Sequence, residues 1–270
     1  MSTLCVIYYD DLRYEKLGEN AYESFRSWHP DVDTVLVTNE ARADYSSFKK
    51  FRKFSPGIVK YAIGYEINNS RNNKYNKLIS LGADTITLGR LDEFLDDDEH
   101  QMLATLDYPY PLIQNGEFIN SADQHCNADV ICFNDLDIIP EIIRLSLPYT
   151  RYYQKHGNAY SEQAGINIIV RDNLFSWKIV DRPGSGVFYN VRAKKSKTFK
   201  MHKNTLAEYF VGDEKVRDLD GNVLKVWHYC EGFGEKPVSV VEERISAMNS
   251  EFSEDVVEFI IDKSKVRHYF

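Results

Sequence analysis

The chain has 270 residues, of which 43% are hydrophobic and 27% charged, and its net charge is -8. That balance suits a soluble domain with a full core and argues against a polyanion binder, which is more often basic, so no nucleic-acid partner is expected. No stretch approaches the 18 or more apolar residues of a membrane span.

The first residues, Met1 to Ile7, have no basic lead and a short apolar part, so neither a secretory signal nor an anchor is expected there. Cys5, Cys126, Cys132 and Cys230 lack metal-ligand spacing, which points to a reduced, cytoplasmic setting.

Leu4 to Tyr9 is an apolar run that ends at Asp10 and Asp11 and reads as a buried first strand. Leu12 to Trp28 has helical period, with Leu12, Leu17, Ala21, Phe25 and Trp28 on one face. Asp33 to Val37 reads as a second strand and Ile58 to Ile67 as a helix ending in the Asn-rich turn Asn68 to Asn73. Lys77 to Leu81 is a third strand, and Leu91 to Asp96 starts a short acidic helix. Met102 to Leu106 and Asp129 to Phe133 are further strands, the latter entered through Asn127 and Ala128. Ile138 to Leu147 and Ser161 to Val170 look helical, and Asn190 to Lys203 reads as a basic loop. Val216 to Trp227 reads as a hairpin with a two-residue turn at Asp220 and Gly221. Two helices, Val238 to Ala247 and Glu254 to Lys263, are expected near the end.

Strands alternating with helices predict an α/β fold: one domain over 1–270 with a mostly parallel central sheet flanked by helices. Ligands of such sheets lie beyond the carboxyl ends of the strands. Tyr8, Tyr9, Asp10 and Asp84 fall at such ends.

Four segments carry candidate chemistry. Asp84 follows the apolar run Leu78 to Leu81, where its carboxylate can hold Mn²⁺ or Mg²⁺ or, equally, cap a helix or loop. Other Asp-x-Asp triplets, such as Asp135 and Asp137, are expected by chance in an acidic chain. His228 ends an apolar strand and can ligate a metal or simply pack. After it, Gly232 and Gly234 let backbone approach a phosphate and Lys236 can neutralise one; a surface loop is the plain alternative. Glu162 and Gln163 open a helix and can bind sugar hydroxyls or be an ordinary helix start. Asn127 and Asp129 lie on alternate positions at the head of a strand and can bind hydroxyls or cap it.

The order and spacing of these segments resemble the GT-A type nucleotide-sugar glycosyltransferases, and among them the retaining family 8 group of galactosyltransferases and glycogenin. The resemblance covers roughly residues 4 to 240. Its Leu-Asp-x-Asp-Thr is matched by Leu81-Gly82-Ala83-Asp84-Thr85, and its Leu-Asp-Glu-Leu by Leu91-Asp92-Glu93-Phe94. Its Asn-Ala-Gly-Val is matched by Asn127-Ala128-Asp129-Val130, and its acid-Gln pair and later Asn by Glu162, Gln163 and Asn167. Its closing His, Gly and Lys-Pro are matched by His228, Gly232 and Lys236-Pro237. Two positions depart: Gly82 stands where the family has an acidic metal ligand, and Asp129 where it has a small glycine beside the donor sugar.

The resemblance implies a single GT-A (Rossmann-like) domain, residues to about 100 binding nucleotide and the rest sugar and acceptor. It implies sugar transfer from a nucleoside-diphosphate donor, UDP-linked in the family, to a hydroxyl on a glycan, glycoprotein or glycolipid, with retention and metal assistance. Asp84 and His228 would then hold Mn²⁺ or Mg²⁺. Tyr8, Tyr9 and Asp10 would lie near the nucleoside, with Gly232, Gly234 and Lys236 at the phosphates. Asn127, Asp129, Glu162 and Gln163 would line the sugar pocket. Two other readings stand beside it. A sugar nucleotidyltransferase would carry a Gly-rich loop after strand one, which Tyr9-Asp10-Asp11-Leu12 lacks. A nucleotide- or sugar-binding protein without catalysis is the reading that Gly82 keeps open.

Overall fold

A computed structural model describes residues 2–9, 12–38, 40–51, 56–107, 112–114, 117–150, 161–182, 184–193, 209–230 and 252–264. Asp10, Gly232, Gly234, Lys236, the helix expected over Val238 to Ala247 and most of the basic loop fall outside these residues.

The first strand, β1 (Thr3–Tyr8), is buried on both sides. Leu4, Val6 and Tyr8 enter one apolar cluster and Cys5 and Ile7 the opposite one. This two-faced burial explains why the strand reads as a continuous apolar run rather than an alternating one. It pairs in parallel with β2 (Asp33–Val37) on one side and β3 (Lys77–Gly82) on the other. After β3 comes the three-residue β4 (Thr85–Thr87), which the sequence reading lacked. β5 (Met102–Leu106), the small hairpin β6 (Leu112–Gln114) and β7 (Glu117–Asn120), β8 (Cys126–Phe133) and β9 (Trp177–Ile179) follow.

The central sheet runs β2-β1-β3-β8-β5-β9. β8 is antiparallel to both neighbours, and every other pairing in this sheet is parallel. The sheet is therefore mostly parallel, with one reversed strand. That reversal matters for the site, because it brings the head of β8 to the rim where β1, β3 and β5 end.

Helices cover both faces. On one lie α1 (Glu15–Trp28) and the short α4 (Asp92–Leu95), contributing Ala21, Phe25 and Phe94 to the core. Leu12 is an exception to the predicted face: it sits in a 3-10 turn before α1 and is 57% exposed. The other face carries α3 (Pro56–Ser70), α5 (Ile138–Ser146) and α6 (Ser161–Asp172), while α2 (Ser46–Phe51) packs beside α3. α3 ends through Asn72 and Asn73, both at positive φ (57° and 55°), a conformation that asparagine tolerates better than most residues.

A second sheet orders β10 (Val187–Ala193), β13 (Val223–Cys230), β12 (Lys215–Arg217) and β11 (Phe210–Gly212), with β4 paired to β13. Asn190 to Ala193, expected as loop, are thus strand. The β12–β13 hairpin is real, but its connection runs from Asp218 to Asn222 with Gly221 at φ 81°, wider than the predicted two-residue turn. Trp227, Leu224 and Val216 pack with Val256 and Ile260 of α7 (Glu254–Ser264). Among the described residues no helix is long and apolar enough to cross a membrane.

Candidate active site

The rim where β1 and β3 end collects side chains from distant parts of the chain. β3 finishes at Gly82, and a turn over Ala83 and Asp84 leads into β4. Thr85 fixes this turn by donating its hydroxyl to the Gly82 carbonyl at 2.8 Å. β4 pairs with β13 so that Thr85 faces His228. This register places His228 Nε2 3.1 Å from Asp84 Oδ1. His228 is 1% exposed, whereas the Asp84 side chain keeps 22% exposure, so the pair has a buried base and an open carboxylate edge.

Asp129 joins them from β8. One step past the Leu81–Val130 pair, it lies across from Gly82. A Cβ on Gly82 would stand 3.1 Å from Asp129 Cβ and 2.7 Å from Asp84 Oδ1. The head of β8 is irregular: its register against β5 slips between Ala104 and Leu106. Asn127 holds the irregularity, its Oδ1 accepting the N–H groups of Asp129 at 2.7 Å and Val130 at 3.2 Å. The structure thus gives Asn127 a backbone-shaping contact beneath the rim, with 4% exposure.

Lys60 of α3 was not singled out in the sequence. It is buried, and its ammonium donates to Asp129 Oδ1. Asp129 Oδ2 lies 3.8 Å from His228 Nε2. Burial works against the Asp129 charge, but the Lys60 ammonium and the His228 ring outweigh it, and the carboxyl titrates below the usual carboxylate range. The next residue, Tyr61, is buried and donates its hydroxyl to the Ala128 carbonyl, tying α3 to β8.

A second group forms where β5 ends. Gln163, in the first turn of α6, donates through Nε2 to Asp107 Oδ2 and also meets His125 Nε2. His125 Nε2 is 3.6 Å from the same Asp107 oxygen. Asn167, one helical turn on, accepts the Cys126 N–H at 2.8 Å and donates to the Cys126 carbonyl at 2.9 Å, which docks α6 on β8. Glu162 is buried and rests against Gly57 of α3, where any Cβ would overlap its carboxyl. Asp107 and His125 escaped the sequence reading because each is a single polar residue at a strand end with no partner at a telling spacing.

Tyr8 and Tyr9 end β1. Tyr8 is buried in the core beside Gly82 in register. Tyr9 packs on Gly18 of α1, its carbonyl accepting from Arg42 Nη1 at 3.3 Å. They lie on the same rim as Asp84, one strand over.

The donor set at Asp84 and His228 is one hard oxygen and one imidazole nitrogen. Among the described residues no group of three or more His, Cys, Asp or Glu is gathered to hold an ion. Small divalent cations bound with nucleotides ordinarily take one or two protein ligands and fill the rest with water and phosphate oxygens. The pair fits that use: Asp84 and His228 would supply the two protein ligands.

No protein-family model and no curated protein matches the chain. Many solved structures are similar in fold, among them the following three. One is the galactosyltransferase LgtC in complex with donor and acceptor sugar analogs, 16% identical over 95% of this chain and 99% of its own, with a TM-score of 0.48. Another is a glycosyltransferase involved in the glycosylation of the major capsid of PBCV-1, 9% identical over 70% of this chain and 84% of its own, with a TM-score of 0.43. The third is mouse xyloside xylosyltransferase 1, 9% identical over 67% of this chain and 86% of its own, with a TM-score of 0.41.

Proposed function

We propose that this protein is a glycosyltransferase of the cytoplasm that moves a sugar from a nucleoside-diphosphate donor, UDP-linked, to a hydroxyl of a glycan, glycoprotein or glycolipid, with retention. The observation that carries this reading is the meeting of Asp84 and His228, 144 positions apart, at the carboxyl-end rim of an α/β sheet. That rim is where such sheets bind ligands. The motif resemblance in the sequence supports the same reading.

In this reading residues to about 100 bind the nucleotide and the remainder the sugar and acceptor. Asp84 and His228 would hold Mn²⁺ or Mg²⁺, whose positive charge would stabilise a leaving diphosphate. Tyr8 and Tyr9 lie along the nucleoside, and Asp129, Glu162 and Gln163 face the sugar above the shelf that Asn127 shapes. Gln163 is a poor nucleophile, and its amide is committed to Asp107 and His125. We therefore favour front-face departure, with the leaving phosphate accepting the acceptor's proton, over a covalent intermediate.

Thermal-shift titration with UDP, GDP, CDP and ADP, each with and without Mn²⁺, tests the reading. A ligand that binds only the native state raises the melting temperature with the logarithm of its concentration over Kd. A shift with UDP that grows with Mn²⁺, together with release of UDP from a UDP-sugar, is expected. No shift with any nucleotide would refute it, and a Mn²⁺-dependent shift without sugar release would favour a binding protein.

A further inference from the structure

Asp129 differs from its neighbours in how its charge is managed. One oxygen, Oδ1, is taken by the ammonium of Lys60, whose side chain is only 4% exposed. The Asp129 side chain itself keeps 40% exposure. Lys60 thus neutralises and pins the carboxylate from below, while the rest of Asp129 faces the rim. Its seat exists because position 82 is glycine: a Cβ there would press on Asp129 at 3.1 and 3.3 Å. Gly82 and Asp129 are one spatial arrangement, a bare position on β3 and a carboxylate opposite it on β8.

A carboxylate already neutralised by a buried lysine is a poor ligand for a second cation and a good fixed acceptor for a hydroxyl. The geometry agrees, since Asp129 Oδ2 is 3.8 Å from His228 Nε2 and does not close a three-ligand group with Asp84. Hydrogen bonds to a charged acceptor are stronger than neutral ones, and a site built to accept a hydroxyl rejects analogues that lack it.

We infer that Asp129, pinned by Lys60 in the space that Gly82 leaves, accepts a hydroxyl of the transferred sugar and so selects among donor sugars. This rests on the glycosyltransferase reading above and adds a specificity-determining residue to it.

The test is calorimetric titration of the wild type and Asp129→Asn with MnCl₂ present, using UDP, UDP-glucose, UDP-galactose and UDP-N-acetylglucosamine. The variant keeps the side chain's shape and removes its charge. We expect UDP affinity to stay within about twofold and affinity for the preferred UDP-sugar to fall about tenfold or more, so that the sugars become alike. Should Asp129→Asn leave Lys60 without a partner and fail to fold, the double variant Lys60→Met/Asp129→Asn removes both charges and reads the same loss. Equal weakening of UDP and UDP-sugar would make Asp129 part of the cation or phosphate site and overturn the inference, as would unchanged UDP-sugar binding. Either result leaves the glycosyltransferase reading standing. A wild type that binds UDP but no UDP-sugar, or one that binds no nucleotide, overturns both.

Discussion

Asp181 offers a direct test of how the second group at the rim is held. The residue is 7% exposed, and its Oδ1 accepts the Leu106 N–H at 2.9 Å, next to Asp107. Burial pushes its carboxyl up to about 7, against the pull of backbone N–H groups of Leu106, Asp181 and Tyr189. A folded-state pKa raised above the unfolded one means that the native chain binds the extra proton. Its stability contribution is therefore complete below about pH 4 and is lost as pH rises to about 7. Raising the carboxyl from its ordinary value to about 7 corresponds to about 4 kcal/mol. Asp181→Asn removes the titration while its amide oxygen still accepts from Leu106. The unfolding free energy of the variant minus that of the wild type should then grow by about 4 kcal/mol between pH 4 and pH 8. Urea unfolding at one ionic strength and five pH values measures this difference. A difference flat to within about 1 kcal/mol across that range would refute the account of a desolvated, protonated carboxyl.

His29 acts with the opposite sign. Fully buried, it donates from Nδ1 to the Phe25 carbonyl and accepts the Leu91 N–H on Nε2, and burial pushes its pKa down to about 4. Its stabilisation is present above about pH 6.5 and is lost as pH falls through about 4, a swing of about 3 kcal/mol that His29→Gln should abolish in thermal unfolding from pH 7 to pH 4. Gly165→Ala would drive a Cβ to 2.7 Å from the Ile142 carbonyl where α6 crosses α5, so a net loss of about 1–2 kcal/mol is expected despite the better helix former; unchanged stability would show that the helices can part. Lys60→Met should lower the melting temperature more than Lys60→Met/Asp129→Asn does, because the single change leaves a partly buried carboxylate without its cation; equal losses would mean the pair is uncoupled. Asp84→Asn should reduce UDP-sugar turnover about 100-fold with no fall in melting temperature, and retained turnover would remove Asp84 from the reaction.

Much of the frame is legible in the residues. β1, β3 and β5 are apolar on both faces, so they stand out as short runs, and α1 carries Leu17, Ala21 and Phe25 at helical spacing. The three-residue β4 is too short to show a period and exists because β13 pairs with it. Lys60 is hidden by its own helix. Residues 58–67 read as an apolar stripe, and nothing local says that one lysine in it points at a carboxylate on β8.

The reversal of β8 explains why the site was harder to read than the fold. A run such as Asp129 to Phe133 announces a strand but not its direction, since both faces are buried either way. Direction decides which end meets the rim. With β8 parallel to its neighbours, its head would lie at the far edge of the sheet and Asp129 could not face Gly82. Because it is antiparallel, two positions that look independent along the chain face each other, and a Cβ at Gly82 would stand 3.1 Å from Asp129 Cβ. The missing acid on β3 and the added acid on β8 are then linked by sterics. Gly82→Asp alone would crowd Asp84 and Asp129, whereas Gly82→Asp with Asp129→Gly would move the acid across the strand pair into cleared space.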